Sequence, residues 1–167
     1  MYAFTSSSYL LGVKGDHELA ARLAERTRGI PVVISSLSAV AGLQALGVRR
    51  IALIHPPWYA PELDRLGAQY FRSQGFDVVF HAPAPLRPDF GEIFPSQIHE
   101  WARAHVPDRA EAVFIGGTGM RAVGAIRPLE EDLGRPVLTA NQVSLWRALQ
   151  IADAHAAVAG YGRLFTV

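Results

Sequence analysis

Five continuous apolar runs alternate along the chain with stretches whose apolar residues recur at helical spacing. The runs are "IPVVIS" (30–35), "RRIALIH" (49–55), "FDVVFH" (76–81), "AVFIG" (112–116) and "RPVLTA" (135–140). Their β-branched content predicts strands buried on both faces. Between them, Asp16 predicts an N-cap for a helix with Leu19 and Leu23 on one face, closed by Gly29. Leu63, Leu66 and Tyr70 make a second stripe before Gly75, and Ser96 caps a third helix that turns Ile98, Trp101 and Ala102 inward. Pro128 splits the segment after residue 119 into two short helices and takes the first position of the second, with Glu130 and Glu131 in its first turn.

Strand and helix in this order predict an α/β fold with a parallel sheet, and a complete lobe of four strands between residues 49 and 140. Ligands of such sheets bind beyond the C-terminal strand ends. The stretches that matter are therefore "FTSSS" (4–8), "SSLS" (35–38), "HPPWY" (55–59), "HAPAP" (81–85), "GGTG" (116–119) and "ANQ" (140–142). The chain also repeats itself weakly. "FTSS", a helix and "IPVVISSLSAVAGLQAL" parallel "GTGM", helices and "RPVLTANQVSLWRALQI". Both copies run loop, helix, Pro-led strand, polar turn, helix, which predicts facing lobes with Thr5 and Thr118 as counterparts.

The loop Gly117-x-Gly119-x-x-Ala122 has the form of a dinucleotide fingerprint. Such a site needs an acidic residue ending the next strand, where this chain has Thr139, Ala140 and Asn141, and it belongs in a first βαβ unit. A nucleotide-binding protein therefore rests on the loop pattern alone. A small-anion site needs only exposed N–H groups at a helix start, and a tight turn needs only the glycines.

Composition narrows the classes. Half the residues are hydrophobic, 19% are charged and the net charge is +1 with no basic stripe, which argues against disorder and against nucleic acid as a partner. No apolar run reaches the length of a membrane span and the start lacks a signal-peptide layout, so a cytoplasmic protein with no membrane partner is expected. There is no cysteine, which removes disulfides, thiolate metal sites and thiol catalysis together.

"YAFTSSS", "LQALGVRRIAL", "GGTGMRAVGAIRPLEEDLGRPVLTANQVSLW" and "GYGRLF" together resemble the aspartate/glutamate racemase superfamily, in its maleate isomerase and arylmalonate decarboxylase branch. The resemblance runs over essentially the whole chain. It implies two pseudo-symmetric parallel-sheet lobes with a carboxylate-sized site between them and no metal or organic cofactor. In its terms residues 1–46 are the remnant of an incomplete N-terminal lobe, 47–150 are the C-terminal lobe, and 151–167 are a tail packing back on the first. Family members have more chain before "FTSSS", so apolar surface around Val33 and Ile34 is expected to lie uncovered, with a homo-oligomer as one outcome.

The family's chemistry depends on cysteine at one or both of two facing positions. These fall on Phe4 and Gly117, neither of which can transfer a proton or attack a substrate. The carboxylate-binding groups that match are Thr5, Ser6, Thr118 and Gly119. A family tyrosine falls on Trp58 or Tyr59, because "HPPWYAP" carries an extra residue. Asn141 and Gln142 match a pair common in the isomerases. His55 ends a predicted strand and is the candidate acid or base, with His81 placed similarly after the next strand. Arg121 opens the helix after the glycine loop. His17, His99, His105 and His155 lie on or near helices without metal-ligand spacing and read as surface.

Three readings follow. The chain is a cofactor-independent decarboxylase or isomerase acting on a small carboxylate or dicarboxylate, a non-catalytic carboxylate-binding descendant, or a nucleotide-binding protein.

Overall fold

The computed structural model describes residues 1–87, 92–154 and 158–167. Helices α1 (Thr5–Arg26) and α2 (Ser35–Ala45) come first. They are followed by β1 (Arg50–His55), α3 (Pro61–Ser73), β2 (Asp77–Pro83), α4 (Pro95–His105) and β3 (Ala112–Ile115). A 3-10 turn (Val123–Ala125), α5 (Ile126–Leu133), β4 (Val137–Thr139), α6 (Ala140–Ile151) and a second 3-10 turn (Arg163–Thr166) complete the order.

The four strands form one sheet in the order β2-β1-β3-β4, every pair parallel. This is the four-stranded parallel lobe that the apolar runs predict between residues 49 and 140. Period-two alternation sends Ile51, Leu53, Phe114 and Leu138 to one face, where they meet Tyr9, Leu43, Phe71, Val143 and Leu164 from α1, α2, α3, α6 and the last turn. Ala52, Ile54, Val113, Ile115 and Val137 go to the other face, against Ile98, Ala102 and Leu129 of α4 and α5. Both faces are covered, as the continuous apolar runs require.

The run at 30–35 is not a strand. Among the described residues its only ladder contact is a parallel bridge between Tyr2 and Ile34, with Tyr2 N–H donating to Val33 O at 2.7 Å and Ser35 N–H to Tyr2 O at 3.3 Å. Pro31 has no N–H to give, Ile30 is exposed, and Ser35 already opens α2. Val33 and Ile34 are nonetheless buried, so the uncovered surface expected there is absent; the exposed apolar side chains near the start are Met1, Phe4, Leu10, Leu11 and Ile30.

Several helix starts also move. Asp16 is not an N-cap but a buried residue inside α1, which begins eleven residues earlier at Thr5 and is interrupted at Gly12 (φ 69°, ψ 174°). Leu19 and Leu23 are half-buried, and Gly29 does close the segment, its N–H reaching Ala24 O at 2.8 Å. Pro95, not Ser96, opens α4, whose preceding Phe94 N–H is accepted by Gln97 Oε1 at 2.9 Å. Pro128 is the third residue of α5 rather than the first, a place where its missing N–H still costs nothing. Glu130 lies beyond the first turn of α5, which starts at Ile126. It is buried, and its carboxylate accepts the N–H of Val137 at 3.0 Å and of Arg163 at 3.0 Å. That bond docks the "GYGRLF" turn, and Leu164 packs between Leu138 of β4 and Gly42 of α2.

Candidate functional site

A cavity of about 280 Å³ lies beyond the C-terminal ends of β1 and β3. Three segments build it. The N-cap and first turn of α1 supply Phe4, Thr5 and Ser6; the loop after β1 and the start of α3 supply Trp58, Tyr59 and Leu63; the turn after β3 supplies Gly117, Thr118 and Gly119. The two polar turns that the internal repeat pairs are thus brought together. Each apparent strand-end loop of the repeat, "FTSSS", "SSLS" and "ANQ", is in fact the first turn of a helix, α1, α2 and α6 respectively. Serine and threonine favour helix starts and free turns alike, which is why the pattern cannot separate them.

Thr5 is the hub. Its buried Oγ1 accepts the Gly117 N–H at 3.1 Å and shares a 3.0 Å hydrogen bond with Tyr59 Oη. Thr118 Oγ1 donates to Ala3 O at 2.9 Å, and Asn141 Nδ2 donates to Thr118 O at 3.1 Å. Asn141 therefore braces the glycine turn from outside and does not line the cavity. Gln142 is a structural clamp. It closes a capping box with Thr139, accepting its N–H at 3.1 Å, and its Nε2 donates to Tyr161 O. Of the two aromatic candidates, both Trp58 and Tyr59 line the cavity, with Tyr59 the one bonded to Thr5. Burial raises the Tyr59 pKa against the hydrogen bond to Thr5, so its phenol stays neutral at physiological pH.

His55 does not face the cavity. It is fully buried behind Tyr59, with ring centroids 5.5 Å apart and planes at 28°. Its Nδ1 bonds Asp64 Oδ1 at 2.7 Å, while Asp64 Oδ2 bonds His81 Nδ1 at 2.7 Å. Burial lowers the His55 pKa, opposed by Asp64, and its Nε2 has no hydrogen-bond partner among the described residues. An imidazole so enclosed packs behind the wall that carries Tyr59. His81, half-buried on β2, likewise stays out of the cavity. Arg121 is exposed, its guanidinium 5.7 Å from the Phe94 ring centroid. His99 pairs with Asp132 and His105 with the Trp101 carbonyl, His17 is exposed, and His155 lies outside the described residues.

Two residues escape the sequence reading of the site, which has Leu63 only as part of a helical stripe. Leu63 completes the apolar wall, and Asp64 ties two histidines together. The signal for Asp64 is a carboxylate on the inward stripe of α3, in line with Ala68 and Phe71. Among the described residues no group of three or more His, Asp or Glu side chains could hold a metal ion, and no helix is long and apolar enough to cross a membrane.

Comparison with known proteins places the geometry. The profile of the arylmalonate decarboxylase family matches residues 3–165. Arylmalonate decarboxylase of Bordetella bronchiseptica is 30% identical over 96% of this chain and 68% of its own length. Maleate isomerase of Geobacillus stearothermophilus is 26% identical over 92% of this chain and 61% of its own. A variant of Nocardia farcinica maleate cis-trans isomerase, solved with a covalently bound succinylcysteine intermediate, superposes with a TM-score of 0.85 at 25% identity, covering 96% of this chain and 67% of that one.

Proposed function

The chain belongs to the arylmalonate decarboxylase family, and from that premise we propose that its cavity binds a small carboxylate bearing an apolar substituent, without a metal or organic cofactor. One observation carries the reading. The cavity sets a hydroxyl and backbone edge (Thr5, Ser6, Thr118, Gly119) against an apolar and aromatic wall (Phe4, Trp58, Leu63), with Tyr59 between them. Hydrogen-bond accounting leaves a donor for the ligand. Thr5, Ser6 and Tyr59 have three hydroxyl protons and two mutual bonds, Thr5–Tyr59 and Tyr59–Ser6, so one proton remains for an incoming oxygen. The leading amides of α1, which has no side-chain cap, add to that edge.

Should turnover occur, decarboxylation suits these walls best. A malonate-type ligand with one carboxylate on the donors lays the other against Phe4, Trp58 and Leu63. Breaking the C–C bond there releases neutral CO₂ and leaves the electron pair as an enediolate on the held carboxylate, which then takes a proton from water. Thiol addition of the kind trapped in the Nocardia structure is unavailable to a chain without cysteine. The second reading, a carboxylate-binding protein without turnover, is favoured by Gly117, which offers no proton donor beside the ligand.

Calorimetric titration with phenylmalonate tests the reading, with AMP as the nucleotide control. Saturable binding of phenylmalonate that is weakened in Thr5→Val supports it. Binding of AMP alone, or of neither, sinks it. Release of CO₂ from bound phenylmalonate then separates the enzyme from the binding protein.

A further inference from the structure

The geometry points to Pro56 as the residue that decides what can stand at position 117: its ring fills the space a side chain there would need. The inference rests on the proposed carboxylate site only in treating that cavity as the functional one.

Position 117 is closed twice over. Its φ of 80° lies in the left-handed region that L side chains rarely adopt. A Cβ built there also overlaps Pro56 Cγ outright and stands 3.0 Å from Cδ, with only Pro56 Cβ at an ordinary 3.5 Å. The first closure belongs to the turn; the second belongs to Pro56. The ring cannot retreat easily. Its φ is fixed, the preceding His55 is buried and tied to Asp64, its carbonyl accepts the Tyr59 N–H at 3.0 Å, and the His55 carbonyl accepts the Ala84 N–H at 2.9 Å. Moving Pro56 means moving the wall that carries Tyr59. The atoms that clash are Cγ and Cδ, both absent from alanine, so Pro56→Ala removes the obstruction while keeping the contact at 3.5 Å. In this chain a reactive side chain at 117 and a proline at 56 therefore exclude one another.

The test is a cycle of Gly117→Cys, Pro56→Ala and the double variant, read by melting temperature and by the rate at which iodoacetamide alkylates the introduced thiol. The chain has no other cysteine, so labelling reports that site alone. The expected result is that Gly117→Cys lowers the melting temperature far more in the Pro56 background than in the Pro56→Ala background, and that the thiol labels faster in the double variant. Should the single variant fail to fold while the double variant folds, the exclusion is likewise supported. Equal losses in both backgrounds with equal labelling rates overturn it, as does a double variant that also fails to fold, because backbone strain alone then closes the position. A further arm separates this from the ligand reading. Phenylmalonate that fails to slow labelling in a folded double variant counts against the carboxylate site and leaves the coupling of 56 and 117 intact.

Discussion

Asp64 of α3 and Asp16 of α1 are both buried, both close enough to Tyr9 to act on its hydroxyl, and their carboxyl groups respond oppositely. Burial pushes each pKa up. At Asp64 that push is outweighed by hydrogen bonds from His55 and His81, one on each oxygen, and the pKa is held below the ordinary carboxylate value. At Asp16 the Tyr70 hydroxyl donates to Oδ2 at 2.7 Å, Oδ1 has no partner among the described residues, and burial wins. Both are buried aspartates, but the partners of Asp64 are imidazoles that bond both oxygens and add charge attraction, whereas those of Asp16 are the hydroxyls of Tyr70 and Ser8. What a buried carboxylate does is decided by its partners.

Breaking the better-partnered site has the largest expected effect. Asp64→Ala leaves the buried His55 Nδ1 without its acceptor and frees His81, and is expected to cost about 3 kcal/mol of stability in urea unfolding, since orphaned buried groups cost roughly 1–3 kcal/mol each. Because Asp64 and His55 brace Tyr59 from behind, the same variant is expected to weaken phenylmalonate binding. A loss below about 0.5 kcal/mol, the range of an ordinary surface change, ends the claim that this pairing matters.

Asp16→Asn removes the group whose charge the fold disfavours while keeping an acceptor for Tyr70. It is expected to match or exceed the parent by about 1 kcal/mol at pH 7. The signs with pH follow. Burial lowers the His55 pKa, so the folded chain refuses a proton that the unfolded chain accepts, and stability falls as pH drops below about 6.5. Asp64 adds a further loss below about pH 4, where its lowered pKa is traversed. Asp16, with its pKa raised, contributes fully below about pH 3.9 and loses that contribution as pH rises through its folded value. Acidification therefore destabilises Asp16→Asn more steeply than the parent. Urea titrations between pH 7 and 4 check this, and parallel curves refute it.

The smallest effect is expected at Tyr9, which sits between the two. Its hydroxyl is buried with no hydrogen-bond partner among the described residues, so Tyr9→Phe is expected to be neutral or stabilising by less than about 1 kcal/mol. A loss of about 2 kcal/mol or more in thermal unfolding would mean that the hydroxyl is bonded after all.

The sheet was legible because each strand is a continuous apolar run, and a run buried on both faces has few other destinations. Thr5, Thr118 and the glycine turn were legible through the repeat and the resemblance. His55 was not: strand side chains alternate, and one residue's shift at a strand end turns a group from the crevice to the interior. The run at 30–35 misled for a different reason, since a strand exists only with a neighbour and among the described residues this run has just Tyr2. Pro56 was invisible because its meaning lies in a contact with Gly117, sixty-one positions away.

Glu130 has a consequence for how the molecule breathes. Its carboxylate holds the Val137 amide at the edge strand β4 and the Arg163 amide in the last turn. Isotope exchange at Arg163 then reports more than local fraying, because its amide is released only when a bond shared with the sheet edge gives way. In deuterium the two amides are expected to exchange at similar, slow rates, and Glu130→Ala to speed both together. A single carboxylate thus makes one opening unit of two segments twenty-six residues apart.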